Sequence, residues 1–242
     1  MIAQGGKQIY GAPIGILMLD AQFPRIPGDM GNAETWPFPV LYRVVEDASP
    51  DRIVRRGAEG MLEPFIAAGR DLIRQGAEAI TTNCGFLSLF QAELSAALGV
   101  PVLTSALMQV PMVQAMLPPG RRVGLITISA ETLSPEHLTR AGCPADMPII
   151  GTDHGQEFSR VILGNETALD VSCAEADLLS AADKLIARHA DVAAIVLECT
   201  NMPPYQAAVQ ERTGVPVFSM VDAVCWLQAG LRPRRWPLPA TG

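Results

Sequence analysis

The feature that most constrains this chain is an internal repeat. Displaced by 115 positions, residues 77–104 (AEAITTNCGFLSLFQAELSAALGVPVLT) lie over residues 192–219 (VAAIVLECTNMPPYQAAVQERTGVPVFS). Without a gap, 9 of 28 positions coincide, among them Cys84/Cys199, Gln91/Gln206 and the Gly-Val-Pro-Val runs at 99–102 and 214–217. Ordinary composition would give about two. Each copy reads as strand, turn with a cysteine, helix, Gly-Val-Pro, strand. A fainter echo lays GILML (15–19) over GLITI (124–128). Such a chain is two similar lobes, and equivalent strand ends can face each other across one cleft.

Short apolar runs bounded by Gly, Pro or Asp stand at 13–19, 77–82, 100–104, 122–128, 147–152, 192–198 and 215–219. They have the pattern of parallel strands covered on both faces. Helical periodicity fills the stretches 57–75, 86–98, 105–116, 131–140, 155–163, 172–189, 204–213 and 220–230. The alternation predicts an α/β fold of two Rossmann-like lobes, each a mostly parallel sheet flanked by helices. The lobes are expected in pseudo-twofold relation, residues 1–104 with 215–242 forming one and 105–214 the other. Residues 20–50, rich in Pro, Gly and polar groups, read as a long functional loop after the first strand. Residues 231–242 read as a proline-interrupted surface tail.

Composition narrows the function. The net charge of −7 argues against nucleic acid, which needs clustered Lys and Arg. The uncharged stretch 99–120 holds Pro101, Gln109, Pro111 and Gln114, so it reads as a buried helix and not a membrane span. Five cysteines without an export signal imply free thiols in a reducing, cytoplasmic compartment. With three histidines and no CxxC, no metal site is expected. Neither GxGxxG nor GxxxxGK[ST] follows a strand, so no nucleotide or other cofactor is implied.

Ligands of open α/β sheets sit beyond the carboxyl ends of strands. Cys84 and Cys199 both fall there, each just before a helix whose positive end and free N–H groups would lower a thiol pKa and seat a carboxylate. Two thiols on opposite walls of a small anion site suit two-base chemistry: one removes a proton from carbon and the other delivers one. Cys143, Cys173 and Cys225 have no partner in the repeat and read as packing or surface residues.

At these residues the chain resembles the aspartate/glutamate racemase superfamily, which includes glutamate, aspartate and hydantoin racemases, maleate isomerase and arylmalonate decarboxylase. TTNCG (81–85) is similar to its first cysteine motif and LECTNMP (197–203) to its second. The resemblance implies that Cys84 and Cys199 are the acid/base thiols. It implies that Thr82, Asn83, Gly85, Thr200 and Asn201 hold the substrate, and that Asp20, ending the first strand, assists. Asn201 stands where glutamate racemases carry His, and Glu198 stands where Gly is common, placing a charge that could raise the thiol pKa. Arg25 could clamp a carboxylate. Thr127, Ser129 and His154 end strands of the second lobe and are further candidates for substrate contact. Trp36, Phe38 and Tyr42 could close the long loop over the cleft.

The expectation is therefore a cofactor-independent racemase or epimerase, inverting the α-carbon of a small carboxylated substrate such as aspartate or glutamate, in a possible homodimer or higher homo-oligomer. The alternatives are a maleate-type isomerase, an arylmalonate-type decarboxylase, or a non-catalytic small-acid-binding protein.

Overall fold

The computed structural model describes residues 2–237. Strands β1 (Ile14–Leu19), β2 (Val40–Val45), β3 (Ala79–Thr82) and β4 (Val102–Leu103) form one parallel sheet in the order β2-β1-β3-β4. Strands β5 (Arg122–Thr127), β6 (Ile149–Gly151), β7 (Val192–Leu197) and β8 (Val217–Phe218) form a second, in the order β6-β5-β7-β8. The two orders are the same, so the lobes are copies in topology as well as in sequence. Helices α1 (Leu62–Gln75), α2 (Gln91–Leu98) and α3 (Val110–Met116) precede the second sheet. Helices α4 (Pro135–Arg140), α5 (Phe158–Gly164), α6 (Val171–Arg188), α7 (Gln206–Thr213) and α8 (Met220–Leu231) complete the order. Every residue of β1 is buried, as expected of a strand covered on both faces.

The repeat is reproduced bond by bond. Ile80 N–H donates to Pro101 O and Ile195 N–H to Pro216 O, both at 2.9 Å. Gln91 Nε2 donates to Val102 O at 3.0 Å, and Gln206 Nε2 to Val217 O at 2.8 Å. Gly99 (φ +66°) and Gly214 (φ +70°) end α2 and α7 in the left-handed conformation. That is the conformation in which glycine avoids the Cβ penalty. The coinciding residues are thus those that join a helix to its following strand, which explains their persistence in both copies.

Two features depart from the sequence reading. Residues 215–218 do not return to the first lobe, because β8 pairs with β7 and completes the second sheet. What returns is α8 and its end: Gln109 Nε2 donates to Ser219 O at 2.8 Å, and Arg232 pairs with Glu78. Within the supposed loop 20–50, residues 40–45 (VLYRVV) form the edge strand β2 beside β1. Their β-branched and aromatic content suits a strand, but the surrounding prolines mask the pattern. The tail through residue 237 contains no helix beyond α8, and residues 238–242 lie outside the described residues. No helix among the described residues is long and apolar enough to cross a membrane.

Candidate active site

The site forms where the carboxyl ends of β1, β3, β5 and β7 converge. Asn83 N–H donates to Leu17 O and, at the equivalent place in the second lobe, Glu198 N–H donates to Ile126 O. These bonds continue the sheet one residue past β3 and β7, then release the chain at Cys84 and Cys199. Cys84 has an extended backbone and caps the 3-10 turn Gly85–Phe90, which runs into α2. Cys199 opens a turn closed by Met202 N–H to Cys199 O, ahead of the 3-10 turn Pro203–Tyr205.

A cavity with about 330 Å³ of empty space, part of it open to solvent, lies between the two turns. Both thiols line it, together with Asn83, Gly85, Glu198, Thr200 and Asn201. Phe23 and Phe86 give it aromatic walls, and Ile128, Ile162 and Val54 apolar ones. Both lobes contribute, and both cysteines are buried and free.

Two buried polar atoms at the site have no hydrogen-bond partner among the described residues. Leu19 N–H donates to Asn83 Oδ1 at 2.7 Å, which fixes the amide so that Nδ2 is the end left without a partner. Thr127 Oγ1 donates to Glu198 Oε2 at 2.7 Å, leaving Oε1 without a partner. Asn83 and Glu198 occupy equivalent positions of the repeat. Each therefore has one end anchored to its own lobe and the other free. A buried polar atom left unpaired costs about 1–3 kcal/mol.

A second network supports the Cys199 side. Cys199 Sγ donates to Asn201 Oδ1 at 3.4 Å, Asn201 Nδ2 donates to Asp29 Oδ2, and Arg25 Nη1 donates to Asp29 Oδ1 at 2.9 Å. Met30 N–H reaches Thr200 O at 3.4 Å, and Thr200 Oγ1 donates to Asn83 O in the other lobe. The loop after β1 is thereby tied across the site.

The electrostatics overturn the expected lowering of the thiol pKa values at the helix starts and bear out the expected raising by Glu198. The N–H groups of Phe86 and Leu87 do favour the Cys84 thiolate, as does Arg25. Burial and the Glu198 charge outweigh them and push Cys84 up to about 12. Burial and Glu198 likewise push Cys199 well above the ordinary thiol range, against the Asn201 N–H. Glu198 itself is pushed up to about 7 by burial, against the Thr127 hydrogen bond and the Ile128 N–H. Desolvation disfavours every charged form, and here it exceeds the local dipoles.

The remaining candidates fall in different places. Thr82 is buried behind the site and donates to Thr104 O at 2.7 Å. Thr127 acts on Glu198 and does not line the cavity. Ser129 accepts from Thr132 N–H at 3.3 Å in the following turn. Asp20 is exposed, and His154 is exposed beside a separate groove over α6. Arg25 stacks 4.5 Å from the Phe23 ring centroid, pairs with Asp29, and retains an unpartnered Nη2. Trp36 Nε1 donates to Tyr42 Oη at 2.9 Å and packs on Phe38, which fastens the loop internally. Asp29, Phe23 and Phe86 carried no signal in the sequence beyond their nearness to a strand end or a cysteine. Among the described residues no cluster of His, Cys, Asp and Glu could hold a metal ion.

This two-lobed architecture is the fold seen in arylmalonate decarboxylase and in glutamate racemase. An arylmalonate decarboxylase structure superposes with a TM-score of 0.61 at 19% identity, over 93% of this chain and 95% of that one. A glutamate racemase isoform from Bacillus anthracis does so with a TM-score of 0.56 at 15% identity, over 91% and 81%. No family model matches the chain.

Sequence relatives narrow the class further. A dimethylsulfoniopropionate lyase of Durusdinium sp. clade D is 29% identical over 222 residues, 87% of this chain and 72% of the relative. Dimethylsulfoniopropionate lyase 6 of Emiliania huxleyi is 31% identical over 237 residues, 90% of this chain but only 59% of the relative. This chain thus spans less than two thirds of the Emiliania protein. These relatives correct the expectation of an amino-acid racemase: they are lyases, not isomerases. Of the alternatives, the arylmalonate-type decarboxylase, itself a lyase, stands closer to them.

Proposed function

We propose that the protein is a lyase that cleaves dimethylsulfoniopropionate or a near analogue, a small carboxylate with a cationic leaving group on its β-carbon. The observation that carries the reading is the similarity of nearly the whole chain to lyases of that name. The cavity chemistry supports it. A thiolate at Cys84 or Cys199 takes the proton from the carbon next to the carboxylate. The electron pair of that C–H bond forms the double bond, and the β-carbon–sulfur bond breaks. Acrylate and neutral dimethyl sulfide leave. Racemisation and elimination share the first step, proton removal by a positioned thiolate. They differ in whether the carbanion has a leaving group to expel.

Asn83 Nδ2 is the donor we assign to the substrate carboxylate, with Thr200 and Asn201 beside it. Phe86 and Phe23, the latter already carrying the Arg25 guanidinium on one face, line the cavity and place aromatic surface beside the sulfonium, an attraction worth about 0.5–2 kcal/mol. The cation also offsets the Glu198 charge that opposes thiolate formation, so substrate binding itself favours the reactive form of the thiol. Five free thiols fit a reducing, cytoplasmic compartment.

The test is incubation with dimethylsulfoniopropionate under reducing conditions, with dimethyl sulfide read in the headspace and acrylate by proton NMR. Cys84→Ser and Cys199→Ser are expected to lose at least about a hundredfold in rate while remaining folded. No dimethyl sulfide from the wild type would refute the reading. Full activity in both variants would refute the assignment of the thiols.

A further inference from the structure

The proposed elimination releases one proton per turnover, whereas a racemase returns the proton it takes. The thiol that removes the α-proton must therefore lose it again, inside a cavity that strongly favours the protonated thiol. We propose that Glu198 is the relay through which this proton leaves the two-cysteine cavity. The proposal rests on the lyase reading and adds a residue that the chemistry requires.

The geometry carries it. Glu198 is fully buried, lines the cavity, and sits next to Cys199 in the chain. Its Oε2 is anchored by Thr127, and its Oε1 has no partner. That free oxygen lies against Gly85, the residue after Cys84: a Cβ there would come within 2.0 Å of it. Glycine is thus what lets the carboxyl reach the first cysteine turn. Thr127 faces Glu198 from β5, Cys84 from the turn after β3, and Cys199 from its own turn. Val54 and Ile162 close the lining with apolar surface. Arg25 and Asp29 act on the thiols from the loop after β1, and among the described residues no cation pairs with Glu198.

The proton inventory balances. The Glu198 carboxylate takes the proton of a thiol, giving thiolate and carboxylic acid. The thiolate takes the α-proton, the β-carbon–sulfur bond breaks, and the thiol is restored. The carboxylic acid then gives one proton to solvent. A carboxyl at about 7 releases its proton readily near neutral pH, whereas the transfer to it from a thiol at about 12 runs uphill and is the demanding half of the cycle.

The experiment follows acrylate formation from dimethylsulfoniopropionate at mildly acidic to mildly alkaline pH. In the wild type kcat/KM, which reports the free enzyme, should rise through about 7, because the carboxylate is the accepting form. Glu198→Gln should lose about tenfold or more in kcat and lose that acidic limb. Imidazole, a small diffusible base, should restore part of its rate. Thr127→Val removes the bond that holds the pKa down and should move the limb to higher pH with the carboxyl still present. Wild-type kcat and an unchanged limb in Glu198→Gln would overturn the relay alone, as would an unmoved limb in Thr127→Val. A wild type that forms no acrylate would overturn the lyase reading and the relay together.

Discussion

Replacing Gly85 with alanine is a sharp test of the contact between the lobes. The Cβ would lie 2.0 Å from Glu198 Oε1, 2.7 Å from Glu198 O and 2.9 Å from Glu198 Cδ. Gly85 does not have positive φ, so the backbone itself accepts alanine. Restricting the unfolded chain would on its own stabilise by about 0.4–1 kcal/mol. Against this, forcing a methyl into a packed contact costs about 1–3 kcal/mol. Pushing the carboxyl off Thr127 forfeits a buried hydrogen bond, a further cost of about 1–3 kcal/mol. The net expectation is a loss of about 1–6 kcal/mol, read from the urea midpoint at unchanged m-value. In a Glu198→Ala background two of the three contacts are gone and only the backbone carbonyl remains. The same glycine replacement should there cost at least about 1 kcal/mol less, a coupling that a double-mutant cycle measures directly. A Gly85→Ala protein within about 0.5 kcal/mol of wild type, or an equal cost in both backgrounds, would refute the reasoning.

Glu198 also predicts a pH-dependent stability. Its carboxyl is raised from 4.5 to about 7 on folding, so its contribution is fully present below about 4.5 and is lost as the pH rises through about 7. The difference amounts to about 3 kcal/mol, and urea unfolding across that range should show it in the wild type and not in Glu198→Gln. Asn83→Asp keeps the acceptor for Leu19 N–H but replaces the free donor with a charge facing the substrate carboxylate. KM for dimethylsulfoniopropionate should rise about tenfold or more, and an unchanged KM would remove Asn83 from carboxylate binding. Asp29→Ala leaves the Arg25 guanidinium without its partner and frees Asn201. It should destabilise by about 3 kcal/mol and open residues 20–39 to limited proteolysis, whereas unchanged resistance would show that the loop is held by other contacts.

Much of the architecture was readable before any coordinates. Strand and helix periods, glycine at a left-handed helix end, and Gln-to-strand bonds are local patterns. A duplicated local pattern announces two lobes, and Cys84 and Cys199 stand out because they coincide at a turn that core packing does not explain. Other features depend on groups distant in the chain. β8 could complete either sheet by its own sequence, and hydrogen bonding to β7 decided it. Burial decided the charge state of the site: helix N-termini alone favour thiolates, but desolvation and Glu198 together outweigh them. Glu198 and Asn83 share one place in the repeat, yet only the folded chain brings both to the lining of one cavity. Nor does a paired thiol specify a racemase or a lyase. Both begin with removal of an α-proton, and what happens to the carbanion depends on which substrate the assembled cavity admits and where the proton can go.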